Sequence, residues 1–340
     1  MGNVSIIGID LAKNVFQIHG VDANGKKRLG KTVKRNSLLR FLAKQPSCVV
    51  AMEACCGAHF WAREIAKLGH KTKILHPQYV KPFVQGYKND ARDAQAITEA
   101  AARPSIPEVA QKTVEQLDLQ ALHRVRERLM KERTAIGNEL RGLLAEMGIV
   151  IRTGHKVIRE EIHFILEDAS NGMSIMGRQI IQDLQNQWLE REERIAQYDK
   201  EIQQIAQENE ICKRLQSIPG IGVINATLLY SHAGDASSFA SGRHFSASVG
   251  LVPKQHSSGG KERLSSISKR GNKHVRKQLV HGARSTYKKL LKPEDQSHLG
   301  KWVKRMEGKH PNKIIVALAN KLARIAWVLM KNETSYVVRA

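Results

Sequence analysis

Cysteine is scarce in this chain, with four among 340 residues. None of Cys48, Cys55, Cys56 and Cys212 stands in the C-x-x-C spacing of a zinc site, and the adjacent pair has poor geometry for a disulfide or for two metal bonds. A disulfide-stapled secreted domain and a zinc finger are set aside, and a reduced, cytoplasmic setting is the expectation. Long apolar runs are missing too. Stretches such as Ile325 to Met330 fall far short of the roughly 20 residues that cross a bilayer, so no membrane partner is expected. Core-like sequence begins at once, which fits no secretory leader. Gly2 is followed at position 6 by Ile rather than Ser or Thr, against the N-myristoylation pattern. Acidic residues are few: 32 Asp and Glu against 55 Lys and Arg, a formal net charge of +23. Such an excess points to polyanionic partners, nucleic acid foremost. It is concentrated between Lys254 and Lys309, where 16 basic residues face 4 acidic ones, a net +12.

Residues 4–10 read as a buried strand ending in a carboxylate, residues 15–21 alternate apolar and polar as a second strand, and residues 27–33 give a third. The turn signal Asp22-Ala-Asn-Gly25 makes them a meander. Asn36 opens a short helix with Leu38, Leu39 and Leu42 inward. A fourth strand, Cys48 to Met52, ends at Glu53. A helix from Gly57 to Leu68 offers Phe60, Ile65 and Leu68 to the core. Lys71 to Leu75 is a fifth strand, and Asp90 to Ala102 a helix. Three meander strands followed by alternating helix and strand predict a mixed α/β sheet over residues 1–103. Pro104 and Pro107 mark its boundary.

Over residues 104–212 the sequence becomes long helix. Leu122, Leu129, Ile136 and Leu143 recur every seven residues, and Trp188, Ile195 and Ile202 keep the same step after a break near Gly148 to Gly154. That is a coiled-coil seam, readable as an antiparallel hairpin, a dimerisation arm, both, or a plain helical spacer. Residues 213–340 read as a small, mostly helical domain. Its Ser217-Ile-Pro-Gly-Ile-Gly222 turn has the helix-hairpin-helix pattern. Gly220 and Gly222 would let backbone N–H groups approach a phosphate at the next helix's N-terminus, although a plain helix–helix turn has the same appearance. A polar loop follows to Gly271, and basic amphipathic helices run to about Met330.

The carboxylates stand out against this basic background. Asp10 and Glu53 close strands, and Asp90 with Asp93 share one face of a helix start behind Asn89, a candidate N-cap. Each acid alone is as well explained by the helix dipole or the surface. Four converging carboxylates, however, raise each other's pKa unless a cation joins them. Two Mg²⁺ ions would relieve this and supply the oxygen-rich site that phosphoryl transfer uses, with Arg92 within reach of the scissile phosphate.

Three stretches carry a resemblance: Gly8-Ile-Asp10-Leu-Ala-Lys13, Glu53-Ala54 after a strand, and Lys88-Asn-Asp90-Ala-Arg-Asp93-Ala. They resemble the RuvC-like (RNase H-like) DEDD domain of a family of insertion-sequence transposases. The Ile-Pro-Gly-Ile-Gly turn, Gly250-Leu-Val-Pro253, Ser258-Gly259 and Ser268-Lys269-Arg-Gly271 are similar to that family's C-terminal transposase domain. The resemblance spans nearly the whole chain in order. It implies a DNA recombinase with Asp10, Glu53, Asp90 and Asp93 as metal ligands and Ser258 as nucleophile. A structured bridge RNA from the same element would guide it, on donor and target DNA, in a bacterial cytoplasm at the nucleoid, as a homodimer or homotetramer. Neighbouring Ser257 and the serines at 265, 266 and 268 leave the choice of hydroxyl open. Lys254, Lys261, Arg263, Lys269 and Arg270 read as phosphate contacts around it, and a flexible loop is the bland alternative. Two other functions stay in play: a metal-dependent nuclease of the Holliday-junction resolvase kind, and an inert nucleic-acid-binding or assembly protein.

Overall fold

A computed structural model describes residues 3–86 and 89–338; Gly2 and Lys88, both used above, lie outside them. The chain divides into two compact units, Met1–Thr113 and Val114–Ala340.

The first unit is built on five strands: β1 (Ile6–Asp10), β2 (Val15–Val21), β3 (Lys27–Lys34), β4 (Val49–Glu53) and β5 (Lys71–Leu75). Their order is β3-β2-β1-β4-β5. The two hairpin-linked pairs run antiparallel, whereas β1–β4 and β4–β5 are parallel. Parallel neighbours need crossovers, and helices α1 (Leu38–Leu42) and α2 (Ala58–Ala66) occupy them. The meander turn is fixed by Asp22, whose Oδ1 accepts from the backbone N–H of Asn24 and Lys26 at 3.0 Å each. The expected mixed sheet is present, in an order compatible with an RNase H-like domain.

Alternation sorts the central strands between two cores. Ile7, Ile9, Val50 and Met52 pack with Leu38, Leu42, Trp61 and Ile65 on one face. Ala51 and Leu75 pack on the other with α4 (Asp90–Ala101), which follows the short α3 (Pro77–Val80). One expectation fails here. Phe60 and Leu68 are exposed, at 44% and 38%, while Ala58, Trp61, Ala62 and Ile65 are buried. Those four follow the i, i+3, i+4, i+7 stripe of an amphipathic helix, and Phe60 falls off it.

In the second unit α5 (Val114–Glu146), α6 (His155–Glu167) and α7 (Ile175–Glu208) form an antiparallel hairpin with a capping helix. Arg133 Nη1 meets Glu192 Oε2 at 2.7 Å and Arg126 pairs with Asp199, so partners ascend one helix while descending the other. Ile136, Leu140, Leu144, Ile181 and Trp188 share a core with Ile158 and Ile162 of α6, a helix that the heptad reading left out. Trp188, Ile195 and Ile202 are buried within the one chain. The antiparallel hairpin, one of the readings open to the seam, is therefore present within the chain. The rest of the unit comprises α8 (Glu210–Gln216), α9 (Val223–Ala233), α10 (Gly242–Ser248), β6 (Pro253–Gln255), β7 (Leu264–Ile267), α11 (Lys273–Leu290), α12 (His298–Lys304) and α13 (Pro311–Asn332). Its core gathers Leu215, Ile221, Leu229, Phe245, Leu279, Leu318 and Leu322. The supposed polar loop to Gly271 is in fact a two-stranded hairpin, β6 pairing with β7.

A charge placed in the filled seam tests this packing. Ile202→Asp, at a position with no solvent exposure, is expected to cost several kcal/mol and lower the thermal midpoint followed by circular dichroism. Leu189→Asp, on the same helix at 37% exposed, should leave it nearly unchanged.

Candidate metal centre and serine hairpin

Residues 6, 8 and 10 of β1 alternate toward the face that α4 covers, opposite Ile7 and Ile9. Helix α4 packs very closely there. A Cβ on Gly8 would lie 2.3 Å from Thr98 Oγ1 and 2.5 Å from Ala94 O, closer than any side chain tolerates. Thr98 Oγ1, within 2.8 Å of Ala94 O and 3.2 Å of His19 Nδ1, closes the contact on a buried network. Burial, helped by the charge of Lys27, holds His19 below its usual pKa, so the ring is neutral at physiological pH.

The start of α4 is fixed by Asn89, whose Oδ1 accepts from Ala91 N–H at 2.9 Å, confirming the N-cap. Its first turn carries Asp90 and Asp93. With the helix seated on Gly8, a carboxylate oxygen from each of Asp10, Asp90 and Asp93 lies within 4.8 Å of the others. Glu53 ends the parallel neighbour of β1, one position beyond the Ile9–Met52 pair, but does not belong to that three-residue group. It remains near: the Cys55 thiol is pushed up to about 11 by burial and then by the negative charges of Glu53 and Asp10. Sequence pattern thus picked three residues that the fold gathers and a fourth at the adjoining strand end. Arg92 behaves differently. Two residues along a helix is about 200° of rotation, and the Arg92 guanidinium lies against Gly86, where a Cβ would come within 2.7 Å of Nη1.

Three carboxylates offering hard oxygen atoms, half-buried to exposed, suit a divalent cation rather than a soft metal. A cation there would also remove the repulsion among like charges at this range.

In the second unit Ser258 sits at the exposed end of the β6–β7 hairpin, where its carbonyl accepts from Lys261 N–H at 3.1 Å. Ser257 Oγ accepts instead from Gln255 Nε2 at 3.0 Å. Lys254, Lys261 and Arg263 are exposed along the hairpin, and Lys269 and Arg270 at its root. That root is tightly bound. Ser268 N–H donates to Val252 O at 2.7 Å, Lys269 N–H to Gly250 O at 3.1 Å and Asn272 N–H to Ser248 O at 3.2 Å. Gly271, at φ +81°, approaches so closely that a Cβ would meet Ser248 O at 1.8 Å. Ser248 Oγ donates to Phe245 O at 2.8 Å, so it accepts from His232 Nε2 at 3.0 Å. Arg276 Nη1 donates to Val249 O at 2.8 Å. His232 and Arg276 carry no motif signal; only the fold reveals them as braces of this root. Gly220 was expected beside a phosphate, but its Cα faces α11, where a Cβ would lie 2.5 Å from Gly282 O. Gly222 is open, with nothing within 4 Å of the corresponding position.

A strand-end acid cluster on a sheet compatible with an RNase H-like domain, in one chain with a basic helical unit, fits a nucleic-acid-processing protein. Comparison with known proteins narrows this. Residues 7–149 match a model described as transposase, of the DEDD IS110 type. Residues 212–298 match the model described as Transposase IS116/IS110/IS902 family. The chain is 43% identical over 337 residues to the transposase for insertion sequence element IS1111A of Coxiella burnetii, covering 99% of this chain and 92% of that protein. It is 43% identical over 338 residues to the transposase for insertion sequence element IS1328 of Yersinia enterocolitica, covering 99% of each. The chain belongs to the IS110/IS116/IS902 family of insertion-sequence transposases.

The seat of α4 gives a prediction independent of catalysis. Gly8→Ala should displace α4 from β1 at a cost of about 1–3 kcal/mol, as overpacking does, and carry Asp90 and Asp93 away from Asp10. Terbium luminescence or Mn²⁺ binding by paramagnetic resonance should then show at least tenfold weaker cation binding, with the fold retained by circular dichroism.

Proposed function

We propose that this transposase cuts and rejoins DNA with Mg²⁺ held by Asp10, Glu53, Asp90 and Asp93, and with Ser258 as its nucleophile. The observation that carries the proposal is the convergence of Asp10, Asp90 and Asp93 from a strand end and a helix start. Two Mg²⁺ ions, when bound, would polarise the phosphate and stabilise charge on the attacking and leaving oxygens. Glu53, on the adjoining strand, completes an all-oxygen ligand set.

Ser258 Oγ forms a bond to phosphorus as one P–O ester bond breaks, and the hydroxyl's proton leaves with the departing strand. The phosphoserine link conserves the ester, so a second strand's hydroxyl can displace serine without an external energy source. An unassisted hydroxyl is a weak nucleophile. Lys254, Lys261 and Arg263 on the same hairpin supply positive charge for the oxyanion that develops. The tight root fixes where the exposed hydroxyl is presented. The choice of DNA sites falls to a structured RNA of the element. Its support is the resemblance to the transposase family, and the net charge of +23 suits a polyanionic partner of this kind. The working form is a homodimer or homotetramer.

Asp93→Asn should abolish strand cleavage in Mg²⁺ while nucleic-acid binding, followed by gel shift, stays within a few-fold. Ser258→Ala should lose the covalent protein–DNA adduct trapped on a nicked suicide substrate, and Ser257→Ala should keep most of it. Cleavage without any adduct would replace the serine mechanism by metal-dependent hydrolysis. An adduct at another serine of the 257–268 segment would move the assignment along the hairpin.

A further inference from the structure

Helix α11 begins at Lys273, directly after the root of the serine hairpin, and its 18 residues contain no Asp or Glu. Its buried side is Val275, Leu279, Gly282, Ala283, Thr286 and Leu290. Lys273, Lys277, His281, Arg284 and Lys288 are all exposed. At about 100° per residue these five positions fall within one arc of about 80°. They form a single basic stripe about 22 Å long, at about 1.5 Å of rise per residue. Only Lys277 among them is matched to a carboxylate, at 2.9 Å from Glu127 Oε1, and Glu127 also draws Lys131 of α5 toward the stripe. Four-residue steps along a helix advance about 6 Å, so the stripe presents regularly spaced cations to a phosphate backbone. An isolated lysine is a solvated charge; a basic stripe on a helix that carries no acid of its own, continuous with the Ser258 hairpin, is a phosphate track.

We infer that the exposed face of α11 binds the sugar-phosphate backbone of duplex DNA flanking the phosphate that Ser258 attacks, without reading its sequence. The inference rests on the proposed reading that Ser258 attacks DNA, but not on the metal chemistry. DNA rather than RNA is the occupant because the stripe starts where the hairpin ends, so a duplex reaching Ser258 continues along α11. Backbone contacts of this kind set position and supply salt-dependent affinity.

The test uses the full chain carrying Asp10→Asn and Ser258→Ala, so that neither cleavage nor adduct formation enters. Fluorescence anisotropy measures binding to a fluorescein-labelled 30-base-pair duplex and to a structured RNA across a salt series without divalent metal. Replacing Lys273, Arg284 and Lys288 by Gln should lower the log–log salt slope for the duplex by about 3, since each neutralised phosphate contributes about 0.9. The loss should be equal for unrelated duplex sequences. Replacing Lys292, Lys301 and Lys309 by Gln removes the same charge elsewhere and should lower the slope by less than 1. All six positions are exposed, so unchanged circular dichroism is expected. An unchanged duplex slope in the stripe variant, or equal losses in both triple variants, overturns the inference while the DNA reading stands. Loss confined to the RNA reassigns the stripe to RNA and overturns it too. Failure of the parent chain to bind duplex at all overturns the DNA reading itself.

Discussion

The contact on which the first unit's chemistry depends is the one between Gly8 and α4. Strand alternation alone aims Asp10 at the α4 face, and helix spacing alone pairs Asp90 with Asp93. Neither brings the two groups together. What does is the absence of a side chain at position 8, which lets the Ala94–Thr98 turn of α4 lie against β1. Everything within reach of a cation follows from that separation. The Asn89 cap sets the helix start, and the buried Thr98–His19 pair holds the helix against sliding. Burial holds His19 below its usual pKa, so the support favours an uncharged ring in the packed seam.

The second unit uses the same device in another place. Gly250 and Gly271 allow two loop segments to meet backbone to backbone, and the hairpin carrying Ser258 rises from that joint. The hairpin itself is exposed and has no core of its own. Its placement therefore comes from its root, and from Arg276 and His232, which satisfy carbonyl and hydroxyl groups there. The two units thus present these side chains in opposite ways. The acids are set into a packed sheet–helix seam, whereas the serine stands on a braced projection.

Much of this was legible in the sequence because the signals are local. Alternation marked the second strand, short apolar runs marked strands such as the first and fourth, and Asn89-Asp90 marked a capped helix, because each signal rests on a period, a run or a neighbouring residue. Asp10, Asp90 and Asp93 were legible by position, since strand ends and first helical turns are where side chains escape the core. Other features were hidden for stated reasons. Phe60 looks like a core residue by type, and only the helix's rotational phase shows that it faces out. Helix α6 buries Ile158 and Ile162 against a core whose other members lie on α5 and α7, so its role depends on long-range packing. The Gly220 position seemed made for a phosphate, but nothing in the turn itself announces that α11 will press on it. His232, between Ser248 and Asn272, joins residues that sequence keeps 16 and 40 positions apart.

Charge distribution links these observations to the reaction. A chain with net +23 attracts a phosphate backbone from any direction, so attraction by itself gives no geometry. Geometry requires that positive charge be ordered and that negative charge be confined. Both conditions are met by secondary structure. Helix α11 orders basic residues into one stripe because its apolar residues claim the other side. The sheet and α4 confine three carboxylates to one point, where they repel DNA until a cation joins them. On the proposed reading, metal loading would be a condition for productive contact, because the acid cluster would attract a phosphate only once a cation had joined it. Basic surfaces can therefore hold DNA non-specifically without cutting it, which is the behaviour a recombinase needs while it searches for its sites.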